Sequence, residues 1–227
     1  MSWISWMLPH GASTFVGDVD RIYYIILAIT GVAFVIVEIG LVWFLIKYRA
    51  RPGRPVRYTH GNNTAEVIWT SVVAVTVVVL GLLSAPVWKR IKGRESLPAN
   101  AMVIRVHVKQ FEWNFIYAGP DGKFDTPDDF TRRNQLHLPV NRPVVVELTS
   151  EDVIHSFNIP AFRIKQDAVP GMLIRAWFQP TETGVYELGC AELCGLGHYK
   201  MRAVVTVLSP EEYQRWLGQQ STTVASK

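Results

Sequence analysis

Two apolar runs decide what this chain can fold into. Residues 22–46 are 25 residues whose only charge is Glu38, and residues 67–88 are 22 residues with no charge. At about 1.5 Å of rise per residue, each run as a helix crosses a hydrocarbon core of about 30 Å. No basic stretch leading into a short apolar core precedes the first run, so it is expected to be a retained helix. Tyr23, Tyr24, Trp43 and Tyr48 fall near its ends, where amphipathic rings prefer the headgroup level. Residues 47–65 connect the runs and carry Lys47, Arg49, Arg51, Arg54 and Arg57, with Pro52, Gly53 and Pro55 to interrupt helix. The second helix is expected to end near Pro86 and Trp88, ahead of Lys89, Arg90, Lys92 and Arg94.

The charge divides along the same line. Residues 1–94 hold 10 Lys/Arg and 4 Asp/Glu, a net of +6; residues 95–227 hold 13 and 15, a net of −2. The positive charge sits at membrane boundaries. The remainder has no basic stripe, which argues against nucleic-acid binding; its slight acidity fits a basic protein partner. From residue 102 the pattern turns to period two. Phe111, Trp113, Phe115 and Tyr117 alternate with Gln110, Glu112, Asn114 and Ile116. Further strand-like runs are 102–108, 144–149, 154–159, 173–179, 184–189 and 202–208. They are punctuated by Gly119-Pro120-Asp121-Gly122, Asn141-Arg142-Pro143, Pro170-Gly171 and Thr183-Gly184. This predicts an antiparallel β-sandwich or barrel. Ser209-Pro210-Glu211-Glu212 reads as an N-cap, a first-turn proline and a capping-box glutamate. A short helix to about Leu217 should follow. The expected organisation is an arm over 1–21, a transmembrane hairpin over 22–94, a β domain over 95–218 and a flexible tail over 219–227.

Residues 190–201 hold the only two cysteines, Cys190 and Cys194, followed by His198 and Met201; His155 lies upstream in a strand-like context. Two thiols, two imidazoles and a thioether suit copper held for electron transfer. A mononuclear blue-copper site needs one Cys, two His and a weak axial Met. The additional cysteine points to two metals bridged by two sulfurs. A disulfide, a closed zinc site and inert core thiols are the competing readings. His10, His60, His107 and His137 stand at no ligand spacing to a second soft group, and Met102 and Met172 read as ordinary apolar residues. The loop Asp121–Asp129 is rich in oxygen ligands without the spacing of an EF-hand, and is read as an Asx-type turn rather than a calcium site.

Several segments in one order carry a resemblance: Glu66-Val67-Ile68-Trp69-Thr70, Glu151-Asp152-Val153-Ile154-His155-Ser156, Lys165-Gln166-Asp167-Ala168-Val169-Pro170-Gly171 and the whole Cys190–Met201 loop. Together they resemble the CuA-bearing subunit II of haem–copper cytochrome c oxidases. The resemblance implies a two-helix transmembrane hairpin plus an all-β cupredoxin-like sandwich with a short C-terminal helix. It implies dinuclear copper, CuA, bridged by Cys190 and Cys194, with His155 on one copper and His198 on the other. Met201 would be a weak axial ligand, and the Glu192 carbonyl would take the matching position. The Glu192 side chain would reach a magnesium ion at the interface with subunit I, an interface that Asp167 braces. Glu66 would mark the entrance of a K-type proton pathway.

In the same family the electron arrives through a Gln-Trp-x-Trp segment. This chain reads Gln110-Phe111-Glu112-Trp113, so Phe111 takes the receiving position and Trp113 the later one, which puts the usual docking surface in doubt. The implied function is that of an electron-accepting oxidase subunit. It would take electrons from a cytochrome c and pass them to haem in subunit I, where oxygen is reduced to water. The implied setting is a bacterial-type plasma membrane within a proton-translocating complex, with the CuA domain on the periplasmic face, both termini outside and the connector cytoplasmic. The chain has no Cys-x-x-Cys-His and so no attached c-type haem of its own. The alternative is a membrane-anchored mononuclear copper carrier or electron-transfer protein. Glu38, a carboxylate inside an apolar span, has no role under either reading.

Overall fold

The computed structural model describes residues 7–55, 58, 60–93, 97–119 and 121–225, with side chains placed through residue 220. Arg57, Arg94 and Pro120 therefore lie outside the described residues, as do residues 1–6 and the last two of the expected tail. The chain divides into two compact units, Asp18–Arg90 and Met1–Gly17 with Ile91–Lys227.

Helices α1 (Val16–Lys47) and α2 (Asn63–Lys92) supply the first unit, all but two residues at the start of α1 and two at the end of α2. Both are longer than expected and bury none of their residues within the chain. In lipid every backbone polar group must be satisfied internally, and a helix does so within one segment. The hydroxyls follow the same rule: Thr30 donates to the Ile26 carbonyl at 2.8 Å, Thr76 to Val72 at 2.8 Å, and Ser84 to Leu80. Asn62 caps α2, its Oδ1 accepting the Ala65 N–H at 3.1 Å. The second helix does not stop at Pro86 but runs on to Lys92. An interior proline removes one i→i−4 bond, and the flanking turns still form. Asp18 and Arg90 pair, joining the start of α1 to the end of α2.

The second unit is a sandwich of two five-stranded sheets. One runs β3 (Phe130–Arg133), β2 (Glu112–Tyr117), β1 (Met102–Lys109), β5 (Val144–Ser150), β8 (Ile174–Phe178). The other runs β4 (Gln135–Pro139), β10 (Arg202–Leu208), β9 (Gly184–Cys190), β6 (His155–Ile159), β7 (Ile164–Ala168). Two pairs are parallel, β1 with β5 and β4 with β10, in place of the wholly antiparallel pattern expected. Alternate residues fill the interior: Ile104, Val106 and Val108 from β1, Trp113, Phe115 and Tyr117 from β2, Leu136 and Leu138 from β4, Val205 and Val207 from β10.

Two further features depart from the sequence reading. The described part of the arm pairs with the β domain. Ala12 donates to Ala161 O at 2.8 Å and accepts from Thr181 N at 3.0 Å, and Ser13 bridges to Pro180. Phe15 is fully buried with its ring edge-on to Trp177 at 4.7 Å. Burying that ring contributes roughly 1.5–3 kcal/mol. Helix α3 (Pro210–Ala225) carries the expected reciprocal cap, Glu212 N to Ser209 Oγ at 3.2 Å and Ser209 N to Glu212 Oε2 at 3.0 Å. It continues past Leu217, anchored by Trp216, which stacks on His137 at 4.4 Å.

Candidate metal centre

Three segments of the second sheet's end build the centre. Strand β6 begins at His155, β9 ends at Cys190, and β10 begins one residue after Met201. The β9–β10 connection is pinned at its base, where Cys190 N donates to Met201 O at 3.0 Å, and to β6, where Ala191 N donates to Ser156 O at 3.1 Å. A single 3₁₀ turn, His198–Lys200, brings His198 back toward Cys194.

The donors then converge. Cys190 Sγ lies 3.8 Å from Cys194 Sγ and 3.9 Å from His155 Nδ1. Cys194 Sγ lies 3.6 Å from His198 Nδ1 and 3.6 Å from Met201 Sδ. The Glu192 carbonyl accepts from the Cys190 thiol at 3.2 Å. A disulfide has its sulfurs about 2.05 Å apart, so this is a pair of free thiols. His155, Cys190 and Cys194 place their donor atoms within 4.8 Å of one another; His198 stands outside that trio, on the far sulfur. One tetrahedral ion wants four donors around a single point. Imidazoles assigned to different sulfurs fit two ions sharing the thiolates. The donor set, thiolate with imidazole and thioether, is the soft set that selects copper.

The surroundings hold these donors in place. His155 is fully buried, and its Nε2 meets Asp152 Oδ1 at 2.9 Å, leaving Nδ1 for a metal. Asp152 also accepts the N–H of Gln110 at 2.7 Å and of Val153 at 2.6 Å. Partial burial works against its charge, but the Gln110 N–H, the His155 ring and the Val153 N–H outweigh it and hold the carboxyl below its ordinary range. Gln110 closes the circuit, its side-chain amide donating to Cys194 O at 2.5 Å. Burial, and then the neighbouring Cys190 sulfur, push the Cys194 thiol up. Metal loading releases a proton from each thiol, because the thiolate is the ligand. Asp152 and Gln110 were missed as functional residues in the sequence. An acid three residues ahead of a histidine was the available signal.

The remaining predicted residues are placed as follows. Phe111 sits in the turn ahead of β2 rather than in the strand, half-buried, with its ring against the ligand loop. A Cβ on Gly197 would come 2.5 Å from Phe111 Cδ2, and one on Gly195, at φ +124°, 2.6 Å from Gln110 Nε2. Trp113 is fully buried, its ring edge-on to His155 at 6.4 Å. The Glu192 carboxylate is exposed, 4.0 Å from Lys165 Nζ. Lys165 also reaches Asp167 at 3.2 Å, and Ser156 donates to Asp167 at 2.7 Å. Glu66 occupies the first turn of α2. His10 pairs with Glu182, and His107 lies between Thr149 and Glu151.

Comparison with known proteins agrees with this geometry. Residues 102–208 match the family described as cytochrome c oxidase subunit II, periplasmic domain, and residues 1–87 match its transmembrane domain. In sequence the chain is similar to the alternative cytochrome c oxidase subunit 2 of Bradyrhizobium diazoefficiens, 34% identical over 230 residues, spanning 91% of this chain and 81% of the relative. It is similar to cytochrome c oxidase subunit 2 of Thermostichus vulcanus, 30% identical over 265 residues, spanning 92% and 77%. In structure it is similar to the periplasmic domain of subunit II of cytochrome oxidase (CoxB) of Bradyrhizobium japonicum, with a TM-score of 0.50 and 30% identity over 56% of this chain and 99% of that one. With two family matches that together span most of the chain, this protein belongs to the cytochrome c oxidase subunit II family.

Proposed function

We propose that this chain is the electron-accepting subunit of a haem–copper oxidase, set in a membrane by α1 and α2 with the β domain outside. The observation that carries the reading is the convergence of Cys190, Cys194, His155, His198 and Met201, with each imidazole beside a different sulfur. Copper held by these residues would supply one-electron transfer with little change in bond lengths, and so fast transfer at small driving force.

The chain's own residues prepare that task. Cys190 and Cys194 supply the bridging thiolates. His155, held by Asp152, and His198 supply the terminal nitrogens. Met201 and the Glu192 carbonyl, both beside the cysteine sulfurs, would tune bound copper rather than hold it. Trp113 and Phe157 wall the interior side with apolar surface that excludes water. Phe111, laid against Gly195 and Gly197, covers the outer side and is where the donor's electron enters, with Trp113 behind it. The donor is a cytochrome c, and the acceptor is haem in subunit I, where oxygen is reduced.

Two further roles belong to the assembled complex. The Glu192 carboxylate, with Asp167 bracing, contributes to a magnesium site completed by subunit I, since magnesium takes one or two carboxylates and keeps waters. Glu66 stands at the entrance of a proton pathway. The mononuclear alternative is disfavoured because His198 falls outside the group that His155, Cys190 and Cys194 form, so one ion among those three is not shared by both imidazoles. Copper counting with EPR on the full chain in detergent tests the reading. Two coppers per chain with a seven-line hyperfine pattern are expected, and one copper with four lines, or zinc alone, overturns it.

A further inference from the structure

At the far end of β1 from the metal centre lies a cavity of about 490 Å³. The start of β1, the end of β2, the Asp121–Asp129 loop and the first turns of α3 line it. Its volume falls within the roughly 300–1,000 Å³ of small-molecule clefts. Met102 opens β1 at the cavity, and Gln110, which holds Cys194 O, follows the strand's last residue. An eight-residue strand spans roughly 25 Å. Met102, Val103, Phe124 and Leu217 supply apolar wall. Gly122 has open space where a Cβ would stand and adds no bulk.

The polar groups of the cavity differ in what they have already bonded. The Arg105 guanidinium takes both Asp125 oxygens at 2.9 Å, lies 3.4 Å from Glu147 and covers the Phe124 ring at 4.4 Å. Glu147 is shared with Arg175 at 2.9 Å. Asp121, Asp128 and Asp129 accept from N–H and hydroxyl groups of their own loop. Arg142 is exposed and, among the described residues, pairs with no carboxylate. Tyr213 is buried, and its hydroxyl donates to the Met102 thioether at 3.6 Å, a weak acceptor. Burial pushes the Tyr213 pKa well above its ordinary value, against the pull of Arg142, so the hydroxyl remains a donor. The guanidiniums of Arg105, Arg142 and Arg175 thus meet the carboxylates of Asp125 and Glu147, which leaves one positive charge, on Arg142. The cavity therefore offers donors that lack a good acceptor, set beside apolar wall.

We propose that this cavity binds an organic monocarboxylate with an apolar body, its carboxylate on Arg142 and Tyr213 and its body against Val103, Phe124 and Leu217. A guanidinium fork matches a planar carboxylate with two parallel hydrogen bonds. One free positive charge suits a monoanion rather than a phosphate dianion. An exposed ion pair alone binds weakly, and burial of the body against the apolar wall supplies the rest. Binding is noncovalent and moves no proton. The site is separate from the metal centre, so it stands whether or not that centre accepts electrons.

Equilibrium dialysis of the full chain, copper-loaded and in detergent, against radiolabelled phenylbutyrate tests this, with protein-free micelles as the blank. Saturable binding of one phenylbutyrate per chain is expected. Phenylbutyramide keeps the body but replaces the anion with a neutral amide, and should bind at least about tenfold more weakly. Inorganic phosphate has no apolar body and should not displace phenylbutyrate. Arg142→Gln should lower the affinity at least about tenfold. Arg215→Gln is the control: Arg215 is exposed on α3 and does not line the cavity. It should bind as wild type does. Absence of saturable binding, equal affinity for acid and amide, or displacement by phosphate overturns the inference. So does wild-type affinity in Arg142→Gln, or an equal loss in Arg215→Gln. The comparison of acid with amide needs no variant and stands if Arg142→Gln fails to fold. The EPR pattern of the loaded centre should be the same with and without phenylbutyrate; a pattern that shifts would place binding at the centre and overturn the inference as well.

Discussion

Two loops of the β domain are rich in side chains that bind metals, and they behave in opposite ways. In Cys190–Met201 the donor atoms point at one another, with sulfur–sulfur and sulfur–nitrogen separations of 3.6–3.8 Å. In Asp121–Asp129 the carboxylates point at the chain itself. Asp121 accepts Lys123 N–H at 2.8 Å, Asp129 accepts Asp125 N–H at 2.7 Å, and Asp128 accepts the Thr126 hydroxyl at 2.7 Å. Both Asp125 oxygens take Arg105 at 2.9 Å. The first loop gathers its donor atoms toward one another; the second is a turn that has used its acceptors to hold its own shape. Ligand-type composition is thus a poor guide to a metal site. Whether the donors already have partners is a better one.

Substitutions at the two loops should separate them most sharply where a bridging sulfur is lost. Cys190→Ser should lower bound copper from two per chain to one or none and abolish the seven-line EPR pattern; Asp125→Asn should change neither. A retained pattern in Cys190→Ser would falsify the bridging assignment. Next in size is the support behind the ligand. Asp152→Asn keeps the shape but weakens the hold on His155, and loss of such an outer partner lowers metal affinity about 10- to 100-fold. Competition with a copper chelator measures it, and an affinity equal to wild type would show that Asp152 is only a turn former.

The donors that converge at the candidate centre stood out in the sequence because they are rare residue types at short spacing. The interior face of β2 was legible because Trp113, Phe115 and Tyr117 keep period two, and the start of α3 because Ser209 and Glu212 cap it reciprocally. What was illegible depends on partners remote in sequence. Strand β7 carries Lys165, Gln166 and Asp167, which have no apolar alternation because they lie on a sheet edge and make polar contacts. The arm is too short for any period, and its place is set by backbone pairing with Ala161 and Thr181. Phe111 reads as the first inward residue of β2, yet the strand begins after it and the ring is set by the loop glycines.

Glycines sharpen the comparison at smaller amplitude. Gly197 has no room for a Cβ because the Phe111 ring is there. Gly197→Ala should displace that ring, shift the visible spectrum of the loaded centre and leave copper at two per chain. Gly122, in the acidic loop, sits at φ +68° with open space around it. Gly122→Ala should therefore cost about 1 kcal/mol from left-handed backbone alone, read as a lower midpoint in denaturant with the copper spectrum untouched. A spectral change in Gly122→Ala would mean the two loops are coupled.

The smallest effect concerns Asp128. The Thr126 hydroxyl, and after it the Asp121 N–H, hold its carboxyl below the ordinary carboxylate value despite opposing desolvation. A carboxyl whose folded pKa lies below its unfolded value of about 3.9 contributes stability that is present above that value. That stability is lost as pH falls through the lower, folded pKa. Asp128→Asn should thus be slightly less stable than wild type near neutral pH, and the gap should close as pH falls through the lowered, folded pKa. A series of denaturant midpoints from neutral pH into acid measures this. A gap that persists unchanged in acid would show that the aspartate acts through its shape in the turn and not through its charge.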